Sequence, residues 1–179
     1  ERQVHYNRLQ LCNADLDRLH AIWKRVPKHL QGDIGIVETY VRNLIKCDDS
    51  DSAEKVILRA LKQAWHPVLV RAYGCLECHN ASRQLSQAEK WLKAHPDDAQ
   101  LFLCLGRLSA RSQVWSKSRQ YFESSYRIER SAEICAELGR LATSFGESEV
   151  AAAYFCESLL LSEDKLPDLA LPLKIATDA

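Results

Sequence analysis

Residues 98–129 read DAQLFLCLGRLSARSQVWSKSRQYFESSYRIE, and residues 131–162 read SAEICAELGRLATSFGESEVAAAYFCESLLLS. Each stretch contains a Leu-Gly pair, Leu105-Gly106 in the first and Leu138-Gly139 in the second, 33 positions apart. A fixed period of this length indicates an array of structural repeats. Apolar residues within each stretch recur at three and four positions, so each repeat is predicted to be a pair of helices.

The same pattern extends towards the start of the chain, where Tyr73-Gly74 precedes Leu105-Gly106 by 32 positions. Leu-Gly in a first helix, followed by small, aromatic and small residues in a second helix, as at Ser118, Phe122 and Ser125, resembles the tetratricopeptide repeat. That resemblance implies an all-α, right-handed helical solenoid of stacked hairpins. We predict four tetratricopeptide-like hairpins, at about 34–65, 67–95, 98–129 and 131–162.

The remaining parts of the chain divide around this array. Residues 1–32 are predicted to form N-terminal helices that make a partial repeat, with Asn13 as a helix cap and Pro27 ending the second helix. Residues 33–162 hold the four hairpins, and residues 163–179 are predicted to be a C-terminal tail because they contain two prolines and little periodicity. Within the first hairpin, Asp51 and Glu54 resemble a capping box, which predicts a helix start near Ser52.

Composition excludes several classes of protein. The 179 residues include 24 basic and 24 acidic side chains, so a nucleic-acid partner is not expected. The uncharged stretches are far too short to span a bilayer. Because the chain starts at Glu1 and contains no Met, we expect it to be part of a longer product. The 7 Cys residues form an odd set in mostly apolar surroundings, which favours a reducing compartment.

Several short segments, taken in their order along the chain, resemble the carboxy-terminal domain of the HemY proteins of proteobacterial haem biosynthesis. They are residues 23–28 (WKRVPK), 88–92 (AEKWL), 95–98 (HPDD), 105–108 (LGRL) and 115–119 (WSKSR). The resemblance implies a bacterial inner-membrane protein whose N-terminal anchor is missing from this chain. It also implies a soluble domain on the cytoplasmic side that binds protein partners, namely haem-biosynthesis enzymes.

Arginines recur at one position of the predicted first helices. Arg42, Arg107 and Arg140 are equivalent by the repeat spacing, and Arg71 and Arg111 lie four positions away on a similar face. The first helices of such an array line its concave groove, so these residues predict a basic, partner-binding groove. Guanidinium groups suit an acidic peptide, a carboxy terminus or porphyrin propionates. The alternative is that each Arg is solvated or pairs with its own helix.

The pentapeptide Cys75-Leu76-Glu77-Cys78-His79 matches the pattern that attaches a c-type haem. Cys75, Cys78 and His79 could instead donate three zinc ligands, with His95, His66 or Cys47 as a fourth. A purely structural interpretation places Cys75 within the first helix of its hairpin and His79 in the following turn. We expect neither haem nor a metal as a cofactor, since both sets of ligands are incomplete.

Catalytic motifs are not evident in the sequence, which has no Gly-rich phosphate loop, His-Glu-x-x-His or Gly-x-Ser-x-Gly. Trp23, Trp65, Trp91 and Trp115 are predicted to be packing anchors between hairpins. The sequence therefore predicts a non-enzymatic scaffold. The alternative is a haem or porphyrin carrier that uses the basic groove for propionates and Cys78 or His79 for iron.

Overall fold

The computed structural model describes residues 2–12 and 15–162, and every regular element in that part of the chain is helical. Asn13 and the predicted tail at 163–179 lie outside the described residues. The elements are α1 (Arg2–Gln10), α2 (Leu16–Lys24), α3 (Ile34–Lys46), α4 (Ser50–Gln63), α5 (Pro67–Tyr73), α6 (Ala81–Glu89), a 3-10 turn (Lys90–Lys93), α7 (Ala99–Arg111), α8 (Trp115–Ile128), α9 (Ala132–Ser144) and α10 (Ser148–Leu161).

The chain divides into two compact units, one over residues 1–130 and one that begins at Ser131. Unit 1 contains α1 to α8, and its apolar core runs from Leu9 on α1 to Leu108 on α7. Unit 2 contains the α9–α10 hairpin. The boundaries at 32/33 and 162/163 remain predictions.

Close contact between a glycine and an aromatic ring sets the geometry of the α7–α8 hairpin. A Cβ atom on Gly106 would lie 2.2 Å from Cδ1 of Phe122, whose side chain is 2% exposed. The small residues on either side of Phe122 allow this approach and add hydrogen bonds. The Ser118 hydroxyl donates to the Gly106 carbonyl at 2.9 Å, and the Ser125 hydroxyl donates to the Ala99 carbonyl at 2.8 Å.

The α9–α10 hairpin of unit 2 repeats this arrangement with looser packing. A Cβ atom on Gly139 would lie 2.7 Å from Cε1 of Phe155, and the Ser158 hydroxyl donates to the Ala132 carbonyl at 2.7 Å. Phe155 is nevertheless 38% exposed. Several leucines at the end of α10 are exposed as well, among them Leu160 at 85%. The ring of Phe155 therefore has room to move that the ring of Phe122 lacks.

The turns inside three hairpins share one backbone conformation. Asp48, Gln113 and Gly146 each follow a first helix by two residues, and their φ angles are 60°, 60° and 77°. This left-handed conformation reverses the chain after the helix and is free of strain only for glycine. Asp is one of the few other residues that tolerate it, whereas Gln113 adopts it at a cost.

Acidic side chains cap four of the helices of unit 1, namely α2, α3, α4 and α7. Asp49 caps α4 by accepting a hydrogen bond from the Ser52 amide at 3.1 Å, so the predicted capping box of Asp51 and Glu54 is wrong. Burial acts to raise the pKa of Asp49, but hydrogen bonds from Ser52 and His20 outweigh it and lower that pKa. Asp15 caps α2 in the same way.

The N-terminal helices are fastened to the first hairpin by polar and aromatic contacts. The buried Asn43 amide on α3 donates to the Leu9 carbonyl at 2.8 Å and to the Thr39 carbonyl at 3.0 Å. Trp23 stacks on Tyr40 with ring centroids 4.0 Å apart and planes at 2°. These contacts bury polar groups with partners, so residues 2–12 and 15–26 form part of unit 1 and not a separate arm.

The second hairpin departs from the predicted pattern because its first helix stops early. α5 ends at Tyr73, a turn follows at residues 74–75, and residues 76–80 have no regular secondary structure. Cys75 therefore lies in a turn and is exposed, which contradicts its predicted place within the helix, whereas His79 does lie in the connecting segment. The side chain of Leu76 is fully buried and fixes the segment against the core.

A buried carboxylate joins three helices of unit 1. Glu54 on α4 is 6% exposed and accepts hydrogen bonds from the Tyr73 hydroxyl at 3.1 Å and from the Arg83 guanidinium. Burial, with the Glu54 charge beside it, raises the pKa of Tyr73, so the hydroxyl stays protonated and donates. Since a buried carboxylate is costly without partners, this network selects the observed packing of α4, α5 and α6.

Replacing the interior glycine by alanine in the α7–α8 and α9–α10 hairpins should show that the Gly106–Phe122 contact is tighter than the Gly139–Phe155 contact. We expect Gly106→Ala to lower the free energy of unfolding by about 1–3 kcal/mol, because the buried Phe122 ring cannot move away from the added methyl group. Gly139→Ala should cost less, since the partly exposed Phe155 ring can shift and alanine favours the helix. Urea-induced unfolding followed by far-UV circular dichroism measures both. Equal losses in the two variants would contradict this account.

Candidate functional site

The first helices of unit 1 bring three of the predicted arginines around the end of α5. Arg71 lies in the last turn of α5, and α5 packs against α7. From α7, the Arg107 guanidinium donates to Sγ of Cys75 at 3.3 Å. Arg111, one helical turn further on, donates to the carbonyls of Leu76 and Gly74 at 2.6 Å and 3.4 Å. We call Arg71, Arg107 and Arg111 the arginine surface.

Arg111 serves the fold as well as the surface. Its guanidinium binds main-chain carbonyls that the early end of α5 leaves without helical partners. On the opposite side of the same segment, the Ser50 hydroxyl accepts from the Glu77 amide at 3.2 Å. The unwound segment is thus held by side chains from both neighbouring hairpins, and Arg111 contributes its positive charge from a fixed position.

The other two predicted arginines are paired with glutamates of their own helices. Arg42 on α3 binds Glu38 at 2.5 Å, with 58% of the Arg42 side chain exposed. Arg140, in unit 2, binds Glu137. Such pairs are the alternative that the sequence left open for these two positions, and they reduce the net positive charge there. The arginine surface of unit 1 therefore does not include Arg42.

The residues of the Cys-x-x-Cys-His motif have different surroundings. Cys75 is exposed, whereas Cys78 is buried and donates from Sγ to the Ser50 carbonyl at 3.7 Å. Burial raises the pKa of Cys78 to about 11, and Glu54 and Asp51 act in the same direction. The His79 side chain is 95% exposed, 3.8 Å from Asp51. Because a c-type haem is attached through both thiols, these residues do not fit that group.

The candidate zinc ligands are likewise dispersed. Over residues 2–12 and 15–162, no three His, Cys, Asp or Glu side chains are grouped so that they could hold a metal ion. His95 stacks on Trp65 with ring centroids 3.6 Å apart, and His66 precedes α5 as its cap residue.

Three of the four tryptophans pack between helices as predicted. Trp23 stacks on Tyr40, and Trp91 contacts both Trp65 and Tyr73 with ring centroids 5.6 Å and 5.1 Å apart. The prediction is wrong for Trp115, which begins α8 and is 47% exposed.

Two surface cavities of unit 1 were not anticipated from the sequence. One, of about 370 Å³, is lined by Trp23, Lys55 and Arg59 among others. The other, of about 320 Å³, lies between α1 and α2 and includes Arg8, Arg18 and Arg25. The sequence signal that could have indicated the second cavity is the spacing of Arg18 and Arg25, because residues 18, 22 and 25 share one helical face.

Comparison with known proteins first defines the class of protein. No family model matches the chain. Two solved structures of the tetratricopeptide-repeat protein MamA superpose on 89% of the chain. One is the MamA segment from residue 41 to the end, from Desulfovibrio magneticus RS-1; its TM-score is 0.58, its identity 18%, and 94% of that structure is covered. The other is an RS-1 double mutant of MamA; its TM-score is 0.57, its identity 18%, and 91% of that structure is covered. The chain therefore has the predicted all-α fold of a tetratricopeptide-type helical solenoid.

Sequence similarity narrows this class. The chain is 22% identical to protein HemY of Escherichia coli (strain K12) over 169 residues, which are 93% of this chain and 42% of that protein. HemY of Shigella flexneri matches with the same identity and coverage. This is a HemY-like tetratricopeptide domain, and it spans about two fifths of the length of the relatives it matches. Among the described residues, no helix is both long and apolar enough to cross a bilayer.

Removal of the Arg111 guanidinium should loosen the segment that follows α5. We expect Arg111→Gln to destabilise unit 1 by roughly 1–3 kcal/mol, because the carbonyls of Gly74 and Leu76 lose a charged donor. Hydrogen exchange of the amides at 75–79 should accelerate more than that of α7 itself. Arg107→Gln is the matched control, since the Arg107 guanidinium donates to the exposed Cys75 thiol and not to these carbonyls. Equal protection of residues 75–79 in both variants would contradict a structural role for Arg111.

Proposed function

We propose that this chain is a non-enzymatic scaffold domain of a membrane-anchored HemY-like protein, and that it binds enzymes of late haem biosynthesis at the cytoplasmic side of the bacterial inner membrane. Similarity to HemY along 93% of the chain supports the pathway. The tetratricopeptide fold supports binding, because stacked hairpins present extended surfaces to other chains.

The observation that carries this proposal is the arginine surface at the end of α5. Arg71, Arg107 and Arg111 come from two neighbouring first helices and place three permanent positive charges around one segment. Such a surface suits an acidic peptide segment or a carboxy terminus, whose carboxylates accept paired hydrogen bonds from guanidinium. The partner is therefore proposed to dock with an acidic stretch on unit 1.

A scaffold role also agrees with how unit 1 uses its buried polar groups. Glu54, Tyr73 and Arg83 join three helices, and the Cys78 thiol bonds to a main-chain carbonyl. We propose that these groups stabilise the fold and that the domain makes or breaks no covalent bond in its partner.

Charge reversal on the arginine surface tests the proposal. In the full-length, anchored protein, Arg71→Glu together with Arg107→Glu should reduce recovery of copurifying haem-biosynthesis enzymes by about tenfold or more, because attraction becomes repulsion. Quantitative mass spectrometry of the affinity-purified protein provides the measurement. Arg59→Glu, on the second helix α4, is the matched control and should leave recovery unchanged. Circular dichroism of each variant checks that the fold is retained.

Unchanged recovery in a folded double variant would remove the arginine surface from partner binding. If the wild type instead copurifies with proteins of an unrelated process, and the double variant loses them, the arginine surface is a binding surface but the assignment to haem biosynthesis is overturned.

A haem titration tests the proposal that the domain acts without a cofactor. Adding haem to the purified chain should give no sharp Soret shift. Cys78 is buried whereas the His79 side chain is exposed to solvent, so the two side chains do not point to one position where iron could bind. A sharp Soret shift that His79→Ala abolishes would contradict the scaffold and favour a haem carrier.

A further inference from the structure

The cavity between α1 and α2 has a cationic wall built from two helices. Arg8 on α1, Arg18 on α2 and Arg25, the residue that ends α2, line this space of about 320 Å³. Arg18, Ile22 and Arg25 follow the i, i+4, i+7 spacing of one helical face. A neighbouring face of the same helix buries Leu19 in the core. The fold therefore holds the arginine-bearing face of α2 towards α1.

Two acidic residues precede Arg18 in the sequence, Asp15 and Asp17. Asp15 accepts a hydrogen bond from the main-chain amide of Arg18 and so serves as the cap of α2, and Asp17 lies in the first turn of that helix. Within the described part of the chain, the guanidinium groups of Arg8, Arg18 and Arg25 form no ion pair. Three guanidinium groups that share one cavity repel one another, and an anion between them would relieve that repulsion.

A buried histidine also borders the cavity. His5 on α1 is 8% exposed and lines the cavity together with the three arginines. Its Nδ1 atom has no hydrogen-bond partner but is closed off from solvent, so that atom does not open into the cavity.

Apolar side chains complete the cavity. Leu11 and Ile22 line it beside the arginines, so it can accept an apolar group attached to an anion. Its volume is at the small end of the range of about 300–1,000 Å³ that is usual for ligand pockets. The cavity is therefore suited to a compact anion with a small organic body.

We propose that the α1–α2 cavity of unit 1 binds a phosphate monoester, with the phosphate oxygens on Arg8, Arg18 and Arg25 and the organic group on Leu11 and Ile22. A phosphate monoester carries close to two negative charges near neutral pH, which matches three guanidinium groups better than one carboxylate does. The proposal is independent of the arginine surface, which lies at the end of α5.

Titration calorimetry of the complete 179-residue chain with phenyl phosphate tests the proposal. We expect saturable binding to the wild type and an affinity at least about tenfold lower for Arg18→Gln combined with Arg25→Gln, because each charged hydrogen bond contributes strongly. Both arginines are exposed, so the double variant should fold, which circular dichroism checks. Arg59→Gln, in the other cavity, is the matched control and should bind as the wild type does.

Two further ligands define the chemistry. Benzoate has the same ring with a single negative charge and should bind at least about tenfold more weakly than phenyl phosphate. The proposal is overturned by absence of saturable phenyl phosphate binding, by equal affinity in the double variant, or by equal affinity for benzoate.

Vesicles distinguish a soluble ester from a lipid headgroup as the source of the phosphate. If the wild type binds phenyl phosphate and also sediments with phosphatidylcholine vesicles containing phosphatidate, and the double variant does neither, the ligand is a phospholipid headgroup. Phenyl phosphate binding without sedimentation assigns a soluble ester. Sedimentation without phenyl phosphate binding would overturn the cavity as the binding site.

Discussion

The approach of two helices through a glycine is the constraint on which the hairpins depend. Where the Phe122 ring lies against Gly106, the distance leaves no room for a side chain on the first helix. This contact brings the Ser118 hydroxyl within reach of the Gly106 carbonyl, so a polar residue can be fully buried with a partner. The same relation joins Gly139 to Phe155 within unit 2. Each hairpin thus gains its shape from residues that carry no charge.

The interior contacts leave the remaining residues of the first helices available for other roles. Arg107 directly follows Gly106, so its side chain leaves the helix in a different direction from the face that packs on Phe122. It reaches instead towards the end of α5 and contacts Cys75. The position of the surface charge therefore depends on the packing: because Gly106 faces the Phe122 ring, the next side chain, Arg107, leaves the helix on a different side.

The shortened α5 is where the repeat and its chemistry diverge. A regular first helix would have covered residues 74–79 and satisfied their carbonyls internally. Instead, Arg111 and Ser50 bind this segment from two sides, and the buried Leu76 and Cys78 hold it against the core. The resulting arrangement exposes Cys75, places Arg107 against its thiol and places Arg111 against the carbonyls of Gly74 and Leu76. An irregular segment held by these bonds presents the two guanidinium groups from fixed positions.

Periodicity alone determined the repeat, the helical pairs and the roles of Gly106, Phe122 and Ser125, because those features depend on spacing within some 33 residues. The pairing of Arg42 and Arg140 with neighbouring glutamates is also local, and was open to prediction as an alternative. Only tertiary structure decided the early end of α5 and the burial of Glu54. It also decided the meeting of Arg8 with Arg18 and Arg25. In each of these cases the deciding partner lies on another element, and the free energy of burying or pairing a polar group depends on that partner and not on the residue's own sequence neighbours.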